Sequence, residues 1–180
     1  MNLTSKPCPE FFVKVIGFPD TDETSDRVSI TDLLRANVPT VIDFYNSGWG
    51  GCRPVAQQIK RWSTSYPEVL FVTVCVDSRP MSVAREFQNL YFVTGSSVIN
   101  AFIEERNDYP KFPTQLGWQV LLLLDCEGRI ATTCSPTFLD FREKAFEGVE
   151  HLLEPLIAAG KAQQVATSFV TSSPENLVSL

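Results

Sequence analysis

The sequence predicts an α/β fold with a central mixed β-sheet flanked by helices, and three observations carry that prediction. Short apolar runs suited to buried strands, "TVIDFY" (40–45) and "VLFVTVCVD" (69–77), alternate with stretches whose apolar residues recur at helical spacing. The segment "VLLLLDCEGRIATTC" reads as a strand, a tight turn and a returning strand. A clear helical stripe follows it.

Taken in order, "FFVKVIGF" (11–18) is a plausible first strand, and the polar loop "PDTDETSD" separates it from "VSITDLLRAN", where Thr31 is placed to cap a short helix over 32–36. After strand 40–45 comes a glycine-rich turn, and Val55, Ile59, Trp62 and Tyr66 then mark one helix face that Pro67 ends. The run 69–77 is rich in β-branched residues and reads as a second buried strand. Val83, Phe87, Leu90 and Tyr91 give one helical stripe, and Val98, Ala101 and Phe102 a shorter second one. The loop "NDYPKFPTQLG" leads into a strand over 119–124, with the hairpin beyond it. Thr137 and Asp140 form a capping-box pattern ahead of a last helix whose stripe is Phe138, Phe141, Ala145, Val149, Leu152 and Leu156. The organisation expected is an N-terminal strand and polar loop over 1–27, one domain over 28–160, and a mobile tail over 161–180.

Composition excludes several functions. Apolar residues make up 44% and charged residues 20% of the 180, enough for a sizeable core. A net charge of −6 argues against a nucleic-acid partner, which would need clustered Lys and Arg. The longest apolar run, "VLLLL", falls far short of the ~20 residues of a membrane span, so no membrane association is expected. The N-terminal stretch "MNLTSKPCPEFFVKVIGF" lacks a positive region ahead of a hydrophobic one, which predicts no signal peptide and a cytoplasmic location.

The five cysteines, at 8, 52, 75, 126 and 134, show no CxxC pair, and the chain has one histidine, so neither a zinc site nor any other metal or cofactor is expected. A disulfide framework is not expected in a chain with this much core, and buried free thiols are the ordinary alternative. There is no G-x-S-x-G elbow and no P-loop, which leaves hydrolase and nucleotide readings without support. His151 falls on the polar side of the last helix and is given no role.

"VSITDLLRANVPTVIDFYNSGWGGCRPVAQQI" resembles the thioredoxin superfamily, and in particular its thioredoxin-like and peroxiredoxin-like (redoxin) branch. There a "v-s-l-x-d-l" segment precedes a strand, the turn "WCxxC" and a helix beginning "CRxxAP". "VLFVTVCVDS" resembles the next strand of that family and "VLLLLDCEGRI" its hairpin, so the likeness spans roughly residues 28 to 155. It implies a thioredoxin-like fold and places an active-site turn at Gly48, Trp49, Gly50 and Gly51. The ungapped match puts Trp49 on the family's first cysteine, Cys52 on its second, and Asp43 on the buried carboxylate that takes the second cysteine's proton.

In such a site the first cysteine is made a thiolate by the helix N-terminus and attacks a substrate disulfide, and the second resolves the mixed disulfide. Trp49 cannot form a thiolate, so neither a dithiol cycle nor peroxidase activity is expected here. The family's substrate-gripping cis-proline has no counterpart in register. Gln119 stands near that position, and Pro113 reaches it only across several extra residues.

Three readings of Cys52 follow: a buried relic, a monothiol forming mixed disulfides with help from Asp43, or a partner for Cys75 or Cys8. Asp43, if buried, should have a raised pKa. Trp49 either folds back onto the loop around Trp118 or anchors a partner protein or aromatic ligand. Gly50 and Gly51 at a helix start would leave N–H groups able to hold an anion, with Arg53 the one cation nearby. Two functions from different classes therefore stand. One is a degenerate redoxin with at most monothiol chemistry through Cys52. The other is a non-catalytic module binding a protein through the Trp49 turn and the "DYPKFPTQLGW" loop, which carries Pro113, Trp118 and Gln119.

Overall fold

A computed structural model describes residues 5–16, 26–77, 80–91, 97–104, 119–135 and 139–171. Seven strands form one mixed sheet: β1 (Phe12–Val15), β2 (Val28–Ser29), β3 (Thr40–Tyr45), β4 (Leu70–Cys75), β5 (Val98–Phe102), β6 (Val120–Leu124) and β7 (Ile130–Cys134), in the order β2-β1-β5-β4-β3-β6-β7. Strands β3, β4 and β5 run parallel, and the remaining pairings are antiparallel. The helices among the described residues are α1 (Ile30–Leu33), α2 (Cys52–Ser65), α3 (Met81–Tyr91) and α4 (Leu139–Thr171).

β3 and β4 are buried at every position, as strands covered on both faces must be, so they read as unbroken apolar runs. On one face Val41, Tyr45, Phe71, Cys75, Leu121 and Leu123 pack under Cys52, Val55, Ile59 and Trp62 of α2, Ala84 and Phe87 of α3, and Val149 and Leu153 of α4. On the other face Ile42, Phe44, Val72, Val74 and Leu122 meet Ile30 of α1 and the N-terminal segment at Cys8 and Phe11.

Several sequence expectations are corrected. The 98–102 stretch is strand β5, not a helix: its apolar residues at i, i+3 and i+4 lie in a parallel strand between β1 and β4. In α3 the inward positions are Ala84, Phe87 and Gln88, while Leu90 is 66% exposed. The cap of α1 is Ser29, whose Oγ accepts from the Thr31 N–H at 3.2 Å, and the helix ends at Leu33. The last helix does not stop near 160 but continues to Thr171, and Leu153 and Phe146 join its apolar face. Thr137 and Phe138 of the proposed cap and stripe lie outside the described residues, as do 172–180 of the expected tail.

The long helix is seated by a close approach at Gly160. A Cβ there would fall 2.4 Å from the Asn37 carbonyl oxygen and 2.9 Å from Cys126 Sγ. The Cys126 thiol also donates to the Leu156 carbonyl at 3.0 Å. Gly160→Ala is therefore expected to push α4 off the sheet's end and cost roughly 1–3 kcal/mol. In urea this should appear as a lower unfolding midpoint at unchanged slope, and an unchanged midpoint would show that the seat yields freely.

Candidate functional site

The turn after β3 is built by its own polar residues. The Gly48 N–H donates to Asn46 Oδ1 at 2.9 Å and the Trp49 N–H to the Asn46 carbonyl at 3.1 Å, which folds the chain back within four residues. The Ser47 N–H donates to Asp77 Oδ2 at 3.0 Å, and the Ser47 hydroxyl donates to the same oxygen, tying the turn to the end of β4. The Cys52 N–H then donates to the Trp49 carbonyl at 3.0 Å and the Arg53 N–H to the Gly50 carbonyl at 3.4 Å. These two helix-start donors are turned onto the loop's own carbonyls.

Trp49 is half-buried and packs against the core cluster. Its indole lies over Gly51 so closely that a Cβ on Gly51 would meet the ring at 2.7 Å, so this conformation requires glycine there. The ring thus folds back on its own turn. Trp118 and Pro113 lie outside the described residues. Gly48 and Gly50 are exposed. Arg53 sits over the Tyr91 ring, its Cζ 5.7 Å from the centroid, and Tyr91 leads through Phe87 to Tyr45.

Cys52 opens α2 and is 0% exposed, its side chain in the core cluster with Val55 and Ala56. Asp43 shares that face of the sheet and is 1% exposed. Burial pushes its carboxyl up to about 7, against a smaller lowering from the Gln119 hydrogen bond. Gln119, read from sequence as part of a substrate loop, is 0% exposed, and its Nε2 donates to Asp43 Oδ1 at 3.2 Å. The structure therefore brings Asp43 and Gln119 together, sets Cys52 on the same face, and puts Gln119 inside the molecule.

Sequence reasoning passed over a polar row that crosses this face. Asn100 of β5, Thr73 of β4 and Asp43 of β3 are in register, and the row continues through Leu121 to Cys134 of β7. The Thr73 hydroxyl donates to Asn100 Oδ1 at 2.7 Å, and Gln88 Nε2 of α3 donates to the Tyr45 hydroxyl oxygen at 3.1 Å. The available signal was a threonine and an asparagine inside otherwise apolar runs, since buried polar groups are kept only with partners.

None of the five cysteines is in a disulfide. Burial raises the Cys8 and Cys75 thiols to about 12 and Cys134 to about 11, where the Asp43 charge adds to the effect. Cys126 is also raised, by burial first. Those four are held as thiols at neutral pH, the unreactive form. Among the described residues no group of three or more His, Cys, Asp or Glu could hold a metal ion, and no helix is long and apolar enough to cross a membrane. His151 is exposed, as its helical position predicts.

No family model matches the chain. Among curated proteins it is similar to Thioredoxin-2 of Pyricularia oryzae, 36% identical over 56 residues that make up 31% of this chain and 32% of that protein. The match spans about a third of that relative's length. Among solved structures, a candidate thiol:disulfide interchange protein DsbE from Chlorobium tepidum superposes with a TM-score of 0.63 at 18% identity, covering 83% of this chain and 97% of that one. A secreted disulfide oxidoreductase from Mycobacterium tuberculosis gives 0.56 at 14%, covering 79% and 96%. Thio-disulfide isomerase from Thermus thermophilus gives 0.55 at 18%, covering 79% and 96%. Identities this low speak to the fold alone, and on that they agree with the sheet order and the helices placed on it: the chain has a thioredoxin-like α/β fold, the architecture of solved thiol–disulfide oxidoreductases.

Proposed function

We propose that this chain is a redoxin-type protein with a degenerate active site, in which the Trp49 turn serves to recognise a protein partner and thiol chemistry is at most that of the single Cys52. The observation that carries this reading is the burial of Cys52 at 0% exposure beneath a turn whose outer position holds Trp49 rather than a thiol. A disulfide-exchange cycle starts with an accessible thiolate. Here the sulfur in register with the family's resolving cysteine is enclosed, and nothing at residue 49 can form the mixed disulfide it would resolve. What the turn does offer is a half-buried indole rimmed by exposed Gly48 and Gly50, with Arg53 alongside, and aromatic and arginine side chains are the usual anchors of protein interfaces.

A cytoplasmic location belongs to the same proposal, supported by five cysteines none of which is in a disulfide, which fits a reducing compartment. The acidic balance of the chain supports a protein partner over a nucleic acid or an anionic membrane.

The test is the alkylation rate of Cys52 from about pH 5 to 10, followed by mass spectrometry on the intact wild type and on Cys52→Ser. Cys52 is expected to label only on unfolding, with half-buried Cys134 labelling before it in the native protein. Fast native labelling with an apparent pKa well below the free value of ~8.5 would overturn the reading in favour of a live monothiol.

A further inference from the structure

We infer that Gln119 is a positioning residue that holds Asp43 as a neutral acid, the two side chains closed into a ring by a pair of hydrogen bonds. One of the two bonds is present: Gln119 Nε2 donates to Asp43 Oδ1 at 3.2 Å. The atoms left over are Asp43 Oδ2 and Gln119 Oε1, both buried and both without a hydrogen-bond partner. With Asp43 ionised, these are two stranded acceptors in the same enclosed place, which native cores avoid. A single proton on Asp43 Oδ2, donated to Gln119 Oε1, satisfies both at once and completes an acid–carboxamide ring.

The backbone prepares this pairing. Phe44 of β3 is opposite Val120 of β6 in the antiparallel register, so Asp43 and Gln119 are diagonal neighbours on one face. The Ser135 hydroxyl donates to the Gln119 carbonyl at 2.8 Å and fixes that residue's backbone. The nearest competing donor in the row, the Thr73 hydroxyl, is committed to Asn100. The titratable groups on this face include Tyr45 of β3, Cys75 of β4, Cys134 of β7, Cys52 of α2 and Lys14 of β1, whose register partner Phe102 pairs with Cys75. α3 adds Gln88, bonded to the Tyr45 hydroxyl, and half-buried Arg85, while Glu150 of α4 accepts from Trp62 and Gln58. The cation of the sheet on this face, Lys14, lies in β1, three strands from β3, and is paired with Glu104 at 2.8 Å.

The inference deepens the proposed function, on which it rests for its meaning. An acid that already carries its proton cannot take one from a thiol, so while the ring is closed the base that a sulfur on this face would need is withheld. Opening the ring releases the Oδ2 proton to solvent and leaves Gln119 Oε1 facing a carboxylate, from which it must turn away or take up a water.

The test is an NMR titration of the full chain, uniformly labelled with carbon-13 and nitrogen-15. It follows the Asp43 carboxyl carbon and the Gln119 side-chain carboxamide together. The expected result is a common midpoint near 7 for both groups. In Asp43→Asn an amide closes the same ring without a titratable proton, so the Gln119 signals should stay at their acid-limit positions at every pH. Titration of Asp43 in the ordinary carboxylate range, or at a raised midpoint with Gln119 unmoved, would overturn the ring, and the wild-type titration decides this even if the variant folds poorly. Uncoupled titration with an inert Cys52 defeats this inference alone, whereas fast Cys52 labelling defeats the earlier reading alone.

Discussion

Replacing Trp62 with alanine is expected to cost about 3–5 kcal/mol, the range for deleting a large buried aromatic side chain. Trp62 is 1% exposed and belongs to the apolar face that α2 lays on the sheet. Its indole N–H donates to Glu150 Oε1 of α4 at 2.7 Å, and its ring meets Phe146 of the same helix edge-on at 5.5 Å. One side chain thus joins three layers: the helix that starts at the Trp49 turn, the sheet, and the long C-terminal helix. Its removal opens a cavity beside Phe146, within the core cluster that α2 and α4 share, that rigid neighbouring elements fill poorly. Thermal unfolding should fall by roughly 10 °C or more, at a few degrees per kcal/mol for a chain of this size. Trp62→Phe separates the two contributions. It keeps most of the buried ring and loses only the N–H donor, leaving Glu150 with the Gln58 bond, so a loss of about 1–2 kcal/mol is expected. Equal losses in the two variants would mean that the hydrogen bond, not the ring, holds α2 to α4.

How much of this could be read before the structure depended on whether a signal was local. β3, α2, β4 and the β6–β7 hairpin stand where the sequence places them, because each is bounded by its own punctuation: the glycine turn before Cys52, Pro67 after the helix, Asp125 to Gly128 in the hairpin. β5 was misread because a strand buried on both faces loses the alternation that marks a strand, and Val98, Ala101 and Phe102 then mimic a helix face. The extension of α4 past Gly160 escaped for a different reason: Gly160 and the polar Lys161, Gln163 and Gln164 read as a helix end, although Ala162, Val165, Ala166 and Phe169 recur at helical spacing beyond them. In the site, Asp43 and Cys52 were legible through the strand–turn–helix block, since their positions are fixed by spacing along one segment. Gln119 was not. Its role depends on a partner 76 residues away across an antiparallel register, and nothing in the local sequence states which strand lies beside β3.

That long-range pair governs the second large effect, the dependence of stability on pH. The Asp43 carboxyl is raised from 3.8 in the unfolded chain to about 7 in the folded protein, chiefly by burial. A raised folded value means the native state holds the proton more tightly than the unfolded chain does. The stability this contributes is fully present below about pH 4, is lost progressively as pH rises from about 4 to 7, and stays lost above that. At 1.36 kcal/mol per pH unit the whole loss is about 4 kcal/mol, a large part of the stability of a small domain. Asp43→Asn carries no proton to lose and keeps the shape of the neutral acid. Its unfolding midpoint should match that of wild type near pH 4 and exceed it by an amount equivalent to about 4 kcal/mol at pH 8. Denaturant unfolding of both proteins at about pH 4, 6 and 8 checks this, because every other titrating group cancels in the difference. Parallel curves would mean that Asp43 titrates alike in the folded and unfolded chain, and that its carboxylate is stabilised inside the sheet by water or by a rearranged Gln119. A difference that opens with rising pH would mean that the protein keeps, at a cost of several kcal/mol near neutrality, a carboxyl group that its apolar neighbours alone would not retain.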